Sequence, residues 1–254
     1  ALPAGVEGHL FDGETLTAEL AASLRATEVL ILSAPPDERG DPILPAAGPV
    51  LEEAPLAQII YLTTRGVYGD HDGAWVDEET EPHPGSPRLV RRLEAEAGWR
   101  AFGARRGVPV AVLRLAGIYG PGRNALTQLR AGEARPILKA GQVFNRIHVG
   151  DITATINAVM EHRFSGIVNV TDDLPAPSAE PIFYAAELLG LPQPEAVTFE
   201  EAARTMSPMA LSFWAANKRV SNARLKSELG VTLRYPTYRE GLQGLLAAGE
   251  GSAS

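Results

Sequence analysis

The sequence predicts an α/β fold, a doubly wound parallel sheet covered by helices, and two observations predict it. Short aliphatic and β-branched runs are nearly all apolar, as strands buried on both faces must be, and they alternate with stretches of helical periodicity. The strands fall at 28–33, 58–63, 110–115 and 167–170, and the helices between them at 16–25, 87–106 and 152–161. Ser86 followed by Pro87 supplies an N-cap and a first-turn proline for the second helix, and Asp151 is the expected cap of the third. After Thr171 the chain changes character. Pro175, Pro177, Pro181, Pro192 and Pro194 break it into short helices, including 178–189 and 222–229, which reads as a smaller lobe. Residues 249–254 are small and polar and are expected to fray.

At 254 residues, 45% hydrophobic and 21% charged, the chain can form one large domain or a domain with a subdomain. Having no cysteine, it can have no disulfide, no thiolate metal site and no cysteine nucleophile, which fits a reducing cytoplasm. A formal net charge of -8 argues against nucleic acid or an anionic membrane as a general partner, because there is no basic excess to neutralise phosphates. The longest apolar strings, such as 29–32, fall far short of the roughly 20 residues that a membrane span needs. A cytoplasmic protein is expected. Among its basic residues only Lys139, Lys218 and Lys226 are lysine, so fixed-charge recognition by arginine is available where lysine chemistry is scarce.

Five segments carry the functional signal. Tyr61-Leu-Thr-Thr-Arg-Gly-Val-Tyr-Gly-Asp70 is an apolar strand that runs into hydroxyls, a glycine and a tyrosine. In a doubly wound sheet ligands bind at the carboxyl ends of strands, so Thr63 and Thr64 sit where chemistry is expected, although two threonines can also merely end a strand. Val29-Leu-Ile-Leu-Ser-Ala-Pro-Pro36 is a buried strand opening into a turn, and Leu113-Arg-Leu-Ala-Gly-Ile-Tyr-Gly-Pro-Gly-Arg-Asn124 is a strand followed by a Gly/Pro-rich loop. Arg146-Ile-His-Val-Gly-Asp151 precedes a helix, and Gly166-Ile-Val-Asn-Val-Thr-Asp-Asp173 is another strand. In this order and spacing the chain resembles the extended short-chain dehydrogenase/reductase superfamily of the NAD-dependent epimerase/dehydratase type. The closing stretch from Arg219 to Leu242 is similar to the end of that family as well.

The resemblance implies a dinucleotide-binding sheet of the Rossmann type over 1–118 and 145–171, a smaller substrate lobe over 119–144 and 172–254, and NAD or NADP as cofactor. Thr64, three residues before Val67, matches the family's catalytic Ser/Thr, and Thr63 lines the cofactor cleft. Ser33, Ala34 and Pro35 would lie against the dinucleotide, with Ala116, Gly117 and Ile118 beside the nicotinamide. Phe11-Asp12 resembles the adenine contact, while Asp12 reads equally well as a capping or turn aspartate. On the substrate side, Arg146 lies two residues after Phe144, on the same face of a strand, where many nucleotide-sugar enzymes of this type bind phosphate. Arg123 in the Gly-Pro-Gly-Arg loop also points to an anion, or is a surface charge. Tyr119 shapes the pocket. His148 has no metal-ligand spacing and reads as a hydrogen-bonded structural histidine.

Two departures qualify the resemblance. The family's glycine-rich pyrophosphate loop is not found in the sequence, which is expected to begin near the family's third strand and to follow an upstream βαβ unit. The family's Tyr-x-x-x-Lys pair, one helical turn apart, is matched in position by Arg88-Leu-Val-Arg-Arg92. A guanidinium stays protonated at any working pH, so Arg88 cannot act as acid or base, whereas Arg92 can still hold ribose or phosphate oxygens. The bland alternative puts both arginines on a solvated face while Leu89, Leu93 and Ala97 pack inward. Tyr68 and Tyr119 are the replacement acids to weigh. The expected function is an atypical NAD(P)-binding protein with lost or altered hydride transfer that binds a small anionic metabolite or nucleotide sugar. An active oxidoreductase or epimerase with another proton donor, and a cofactor-sensing regulator without turnover, are the alternatives, and a homodimer is left open.

Overall fold

The computed structural model describes residues 2–251. Its larger elements are α1 (Ala18–Arg25), β1 (Val29–Leu32), α2 (Leu44–Leu51), β2 (Gln58–Thr64), β3 (Trp75–Val76), α3 (Pro87–Arg106), β4 (Val110–Leu115), β5 (Gly117–Tyr119) and α4 (Ala125–Arg130). They continue with β6 (Ile137–Leu138), β7 (Arg146–His148), α5 (Val149–His162), β8 (Gly166–Val170), α6 (Glu180–Leu188), β9 (Val197–Thr198), α7 (Phe199–Ala203), α8 (Pro208–Ser212), β10 (Arg219–Val220), α9 (Ala223–Ser227) and α10 (Tyr238–Ala247). The main sheet has the order β1-β2-β4-β8, and three two-stranded sheets join β3 to β10, β5 to β7 and β6 to β9. No described helix is long and apolar enough to cross a membrane.

Contacts divide the chain into two compact units. The first comprises Ala1–Val67, Pro84–Leu113 and Val159–Ile167; the second comprises Tyr68–His83, Arg114–Ala158 and Val168–Ser254. The division falls after Val67 and His83 and inside β4, α5 and β8.

In the first unit the expected strands form where the apolar runs lie, but they are not equally buried. β2 is buried at nearly every position, and so is the part of β4 that belongs to this unit, as strands with neighbours on both sides should be. Among the described residues β1 ends the sheet, and there Val29 and Ile31 are exposed. β1 and β2 pair in parallel, Val29 opposite Gln58 and Leu32 opposite Tyr61.

α3 occupies the span that its flanking proline and glycine predict. Pro87 enters the first turn, where its missing N–H costs nothing, and Gly107 stops the helix in the left-handed region at φ 64°. The capping role expected of Ser86 is corrected: its backbone is extended as a cap's should be, but its side chain makes no cap hydrogen bond. The inward face is also corrected. Ala95, Trp99 and Phe102, spaced at i, i+4 and i+7, are buried with the β2 and β4 side chains, whereas Ala97 is exposed. Leu89 and Leu93 are half-buried.

α2 is not among the expected helices, and its Pro45 and Pro49 are poor helix formers. It forms because Pro45 falls in the first turn and because Asp41 Oδ1 accepts the N–H groups of Ile43 (2.9 Å) and Leu44 (2.7 Å), while Oδ2 accepts from Trp99 Nε1 (3.0 Å).

In the second unit α4, α6 and α10 share a core of Leu126, Ala185, Tyr238, Leu242 and Leu245. The expected short helices form as α6 and α9, each shorter than the predicted span. Asp151 is not a cap, because α5 begins two residues before it; its buried carboxylate instead accepts the N–H groups of Arg234 (2.7 Å) and Tyr235 (3.2 Å). The segment expected to fray is tied down as far as it is described. Glu250 accepts from Gly122 N (3.1 Å) and Asn124 Nδ2 (3.0 Å), and Gly251 O accepts from Arg130 Nε (2.6 Å). Residues 252–254 lie outside the described residues.

Candidate functional site

Of the residues expected to hold the cofactor, Asp12, Ser33, Ala34, Pro35 and Thr63 belong to the first unit, as does Thr64, and Ala116, Gly117 and Ile118 to the second. Thr63, near the end of β2, is 5% exposed, and its Oγ1 has no hydrogen-bond partner among the described residues. A buried hydroxyl without a partner costs about 1–3 kcal/mol, so this atom is suited to a ligand group. Thr64 is half-buried, and its Oγ1 accepts from Gly66 N (3.1 Å) to close the turn after the strand while its own proton stays available. Past β1 the chain carries exposed Ser33, half-buried Ala34 and exposed Pro35. Asp12 is a turn aspartate: Oδ1 accepts from Glu14 N (2.8 Å) and Thr15 N (2.9 Å), while Thr17 caps α1.

Arg88 and Arg92 are both half-buried on α3. Arg92 lies beside the Tyr61 phenol, which burial pushes up to about 12 against the pull of that guanidinium. Tyr61 is fully buried among the core side chains. The simple picture of two arginines on a solvated face therefore does not hold for Arg92.

The second unit brings together all three expected substrate residues. Tyr119, Arg123 and Arg146 line one cavity of 190 Å³ with Asn124, Gln128 and Tyr238 among its other walls. The strand pairing explains part of this: β5 and β7 run parallel with Gly117 opposite Arg146 and Tyr119 opposite His148, so alternate residues share a face. Arg146 is anchored from behind. Its Nη1 donates to Phe144 O (3.0 Å) and Ala176 O (3.0 Å), and its Nη2 donates to Pro177 O (3.1 Å). A guanidinium has five N–H groups, so two of them remain for a ligand. Burial pulls this guanidinium below its usual value, opposed by Asp172 and the Tyr238 and Tyr119 phenols, but it stays charged. Arg123 is exposed at the cavity's edge. Tyr119 donates to Thr237 O (3.3 Å), and burial, with the charges of Asp172 and Asp151, raises its phenol above the usual range.

The remaining expectations fall as follows. Ala116 is buried and its N–H donates to Val170 O (3.0 Å), Gly117 N donates to Asn145 O (3.0 Å), and Ile118 is exposed. A Cβ at Gly117 would stand 3.2 Å from Asn145 O, a tight contact. Tyr68 is engaged structurally: its buried hydroxyl donates to Asn169 Oδ1 (2.9 Å), the Arg114 guanidinium covers its ring at 4.8 Å, and burial raises its phenol. His148 Nδ1 accepts from Gly150 N (3.0 Å), which places the proton on buried Nε2 between the Tyr119 and Tyr235 rings. Burial lowers its pKa.

One group was missed. Asp172, at the carboxyl end of β8, is 1% exposed, and its Oδ2 has no hydrogen-bond partner among the described residues. In the sequence an Asp-Asp pair after a strand looks like a turn; its position at a strand's carboxyl end was the usable signal.

A parallel sheet flanked by helices defines an α/β protein of the Rossmann type. Residues 46–171 match the NAD dependent epimerase/dehydratase family. A solved structure of a functionally unknown conserved protein from Silicibacter pomeroyi DSS is 46% identical, with a TM-score of 0.82 over 95% of this chain and 83% of that one. The 3-diazoavenalumate denitrifying reductase of a Streptomyces species is 32% identical over 63% of this chain and 54% of its own length. MoeE5 in complex with UDP-glucose and NAD shares the fold, at 24% identity and a TM-score of 0.70 over 94% of this chain and 84% of its own. The chain spans between half and two thirds of the length of the curated relatives it matches.

Proposed function

We propose that this protein binds NAD or NADP together with a small anionic metabolite or nucleotide sugar, and that its hydride-transfer chemistry is lost or altered. The observation that carries the anionic ligand is the cavity where Arg146, anchored on three carbonyls with two N–H groups to spare, meets Arg123 and Tyr119. Charge-assisted bonds from a preplaced guanidinium contribute about twice what neutral ones do.

The residues of the first unit fit a dinucleotide at one tested point: Thr63 Oγ1 is buried, polar and without a partner among the described residues at the carboxyl end of β2. Ser33, Ala34, Pro35 and Thr63 would hold the cofactor, with Asp12 assigned to adenine by resemblance; bound NAD(P) supplies a two-electron hydride carrier. Arg88 and Arg92 stand where the family's proton-exchanging pair is expected, and neither can cycle a proton, so their contribution is restricted to holding oxygens. Thr64 keeps a hydroxyl proton that can be directed at a carbonyl oxygen.

A second reading, an active reductase with another proton donor, is supported by the 32% identity to a named reductase. Titration of the full-length protein with NAD and NADP by calorimetry, followed by absorbance assays of reduced cofactor against nucleotide sugars and small carbonyl compounds, separates the two. The first reading expects dinucleotide binding with little turnover, and no loss in Arg88→Ala beyond about twofold. Turnover lost in Arg88→Ala by the 10² to 10⁴ typical of a positioned catalytic group would overturn it in favour of the second. Failure to bind either dinucleotide would refute the cofactor assignment.

A further inference from the structure

Asp172 is bound to the same strand that presents Arg146. Its N–H donates to Arg146 O (2.7 Å), as does the Thr171 hydroxyl (3.1 Å). The Asp172 carboxyl is buried, Oδ1 accepts a long bond from Leu174 N (3.3 Å), the Arg146 backbone adds a weaker contact, and Oδ2 has no hydrogen-bond partner among the described residues. A fully ionised carboxylate is rarely left so poorly served in a protein interior, because its hydration is lost and little replaces it.

The charges around it are few and opposed. Arg146 on β7 favours the carboxylate; Asp173 next to it disfavours it. Asp173 is itself held by Asn222 Nδ2 (2.7 Å) and Lys226 Nζ (2.5 Å). The Tyr119 phenol from β5 also feels Asp172, and Asp151 and Glu240 act on that phenol, while Tyr238 and Glu180 act on Arg146. Burial dominates and pushes the Asp172 carboxyl up to about 7. The Arg146 guanidinium, with two N–H groups to spare, is thus the cation that acts on this acid and, with Arg123, on whatever enters the cavity.

We propose that Asp172 couples ligand binding to a proton: an anion that lodges on Arg146 is taken up together with one proton, which passes from solvent to Oδ2 of Asp172. The inference rests on reading the cavity as an anion site. An incoming anion and an ionised Asp172 draw on the same Arg146 guanidinium, and burial already disfavours the carboxylate, so the incoming anion drives protonation of the acid. The cavity consequently prefers singly charged carboxylate or phosphate groups over dianions, and the preference sharpens as pH rises and Asp172 ionises before the ligand arrives.

Sulfate and acetate are suitable probes because neither changes its charge between pH 6 and 8.5. Calorimetric titration of the full-length protein, in pairs of buffers with different ionisation heats, counts the protons bound with each anion. The expected result is proton uptake that rises towards one per sulfate between pH 6 and 8.5, with sulfate affinity falling by up to about tenfold per pH unit above 7. In Asp172→Asn the uptake should vanish, the affinity should become flat with pH, and sulfate should gain more than acetate. Sulfate binding without proton uptake by the wild-type protein, or with the same uptake in Asp172→Asn, would overturn the coupling and leave the anion site standing. No binding of either anion to either protein would remove the anion site and the coupling with it. The wild-type proton count decides the matter even where the variant folds poorly.

Discussion

Arg146 shows how one residue can be both structural and available. The resemblance pointed to it as an anion contact, and in the fold it lines the cavity beside Arg123 and Tyr119. What no sequence pattern conveyed is that its N–H groups tie together three backbone carbonyls, of Phe144, Ala176 and Pro177, the first two of which also accept from each other's backbone N–H. Arg146→Ala should therefore weaken binding of a sulfate probe by roughly 1.5–3 kcal/mol and also lower the melting temperature, since the guanidinium bonds to these carbonyls are lost and Pro177 O is left without its side-chain donor. Arg146→Lys should recover part of the affinity but little of the stability, because an ammonium is a point charge and cannot reach carbonyls in several directions as a planar fork does. Thermal melts with calorimetry on both variants check this; a melting temperature unchanged in Arg146→Ala would show that the carbonyl bonds contribute nothing net. Asp172 escaped the sequence reading for the opposite reason. Its spacing is that of an ordinary turn, and its chemistry comes from burial, which depends on residues far along the chain.

At the scale of elements, local punctuation decided what was legible. Residues 87–106 and 110–115 take the expected bounds because Pro87 and Gly107 bracket one helix and an unbroken apolar run makes the strand that follows. The contact between the two depends on a single missing methyl group. A Cβ at Gly103 would stand 2.2 Å from Val110 Cγ2 and 2.7 Å from Val108 O, so α3 and β4 could not approach as they do. Gly103→Ala is expected to cost about 1–3 kcal/mol by overpacking, despite alanine's better helix propensity. Urea unfolding would measure it, and a neutral or stabilising result would mean that the helix shifts freely over the strand. α2 was illegible because two prolines masked it. Asp41, outside the helix, supplies the starting hydrogen bonds that make it tolerable.

Over the whole molecule, stability should carry the mark of one buried acid. The Asp172 carboxyl titrates at about 7 in the folded protein and near 3.8 when unfolded, so between these values the native state holds a proton that the unfolded state has released. Stability from this group therefore falls as pH rises from about 4 and is fully lost above 7, by at most about 4 kcal/mol. Asp172→Asn removes the dependence: its stability relative to wild type should rise from pH 4 to pH 8 and then level off. Denaturant unfolding at several pH values tests this, and a constant difference between the two proteins would show that Asp172 has an ordinary pKa. The sequence by itself determined the α/β class, the strand positions, the long helix and the family, because each is written in local apolar periodicity, in Pro and Gly punctuation and in the order of short motifs. Only the tertiary structure decided that Asp41 starts α2, that Tyr68 serves Asn169, and that Asp172 is buried beside Arg146. Burial and partnership are set by which distant segments come together, and a carboxyl or a hydroxyl acquires its chemistry from that surrounding and not from its neighbours in sequence.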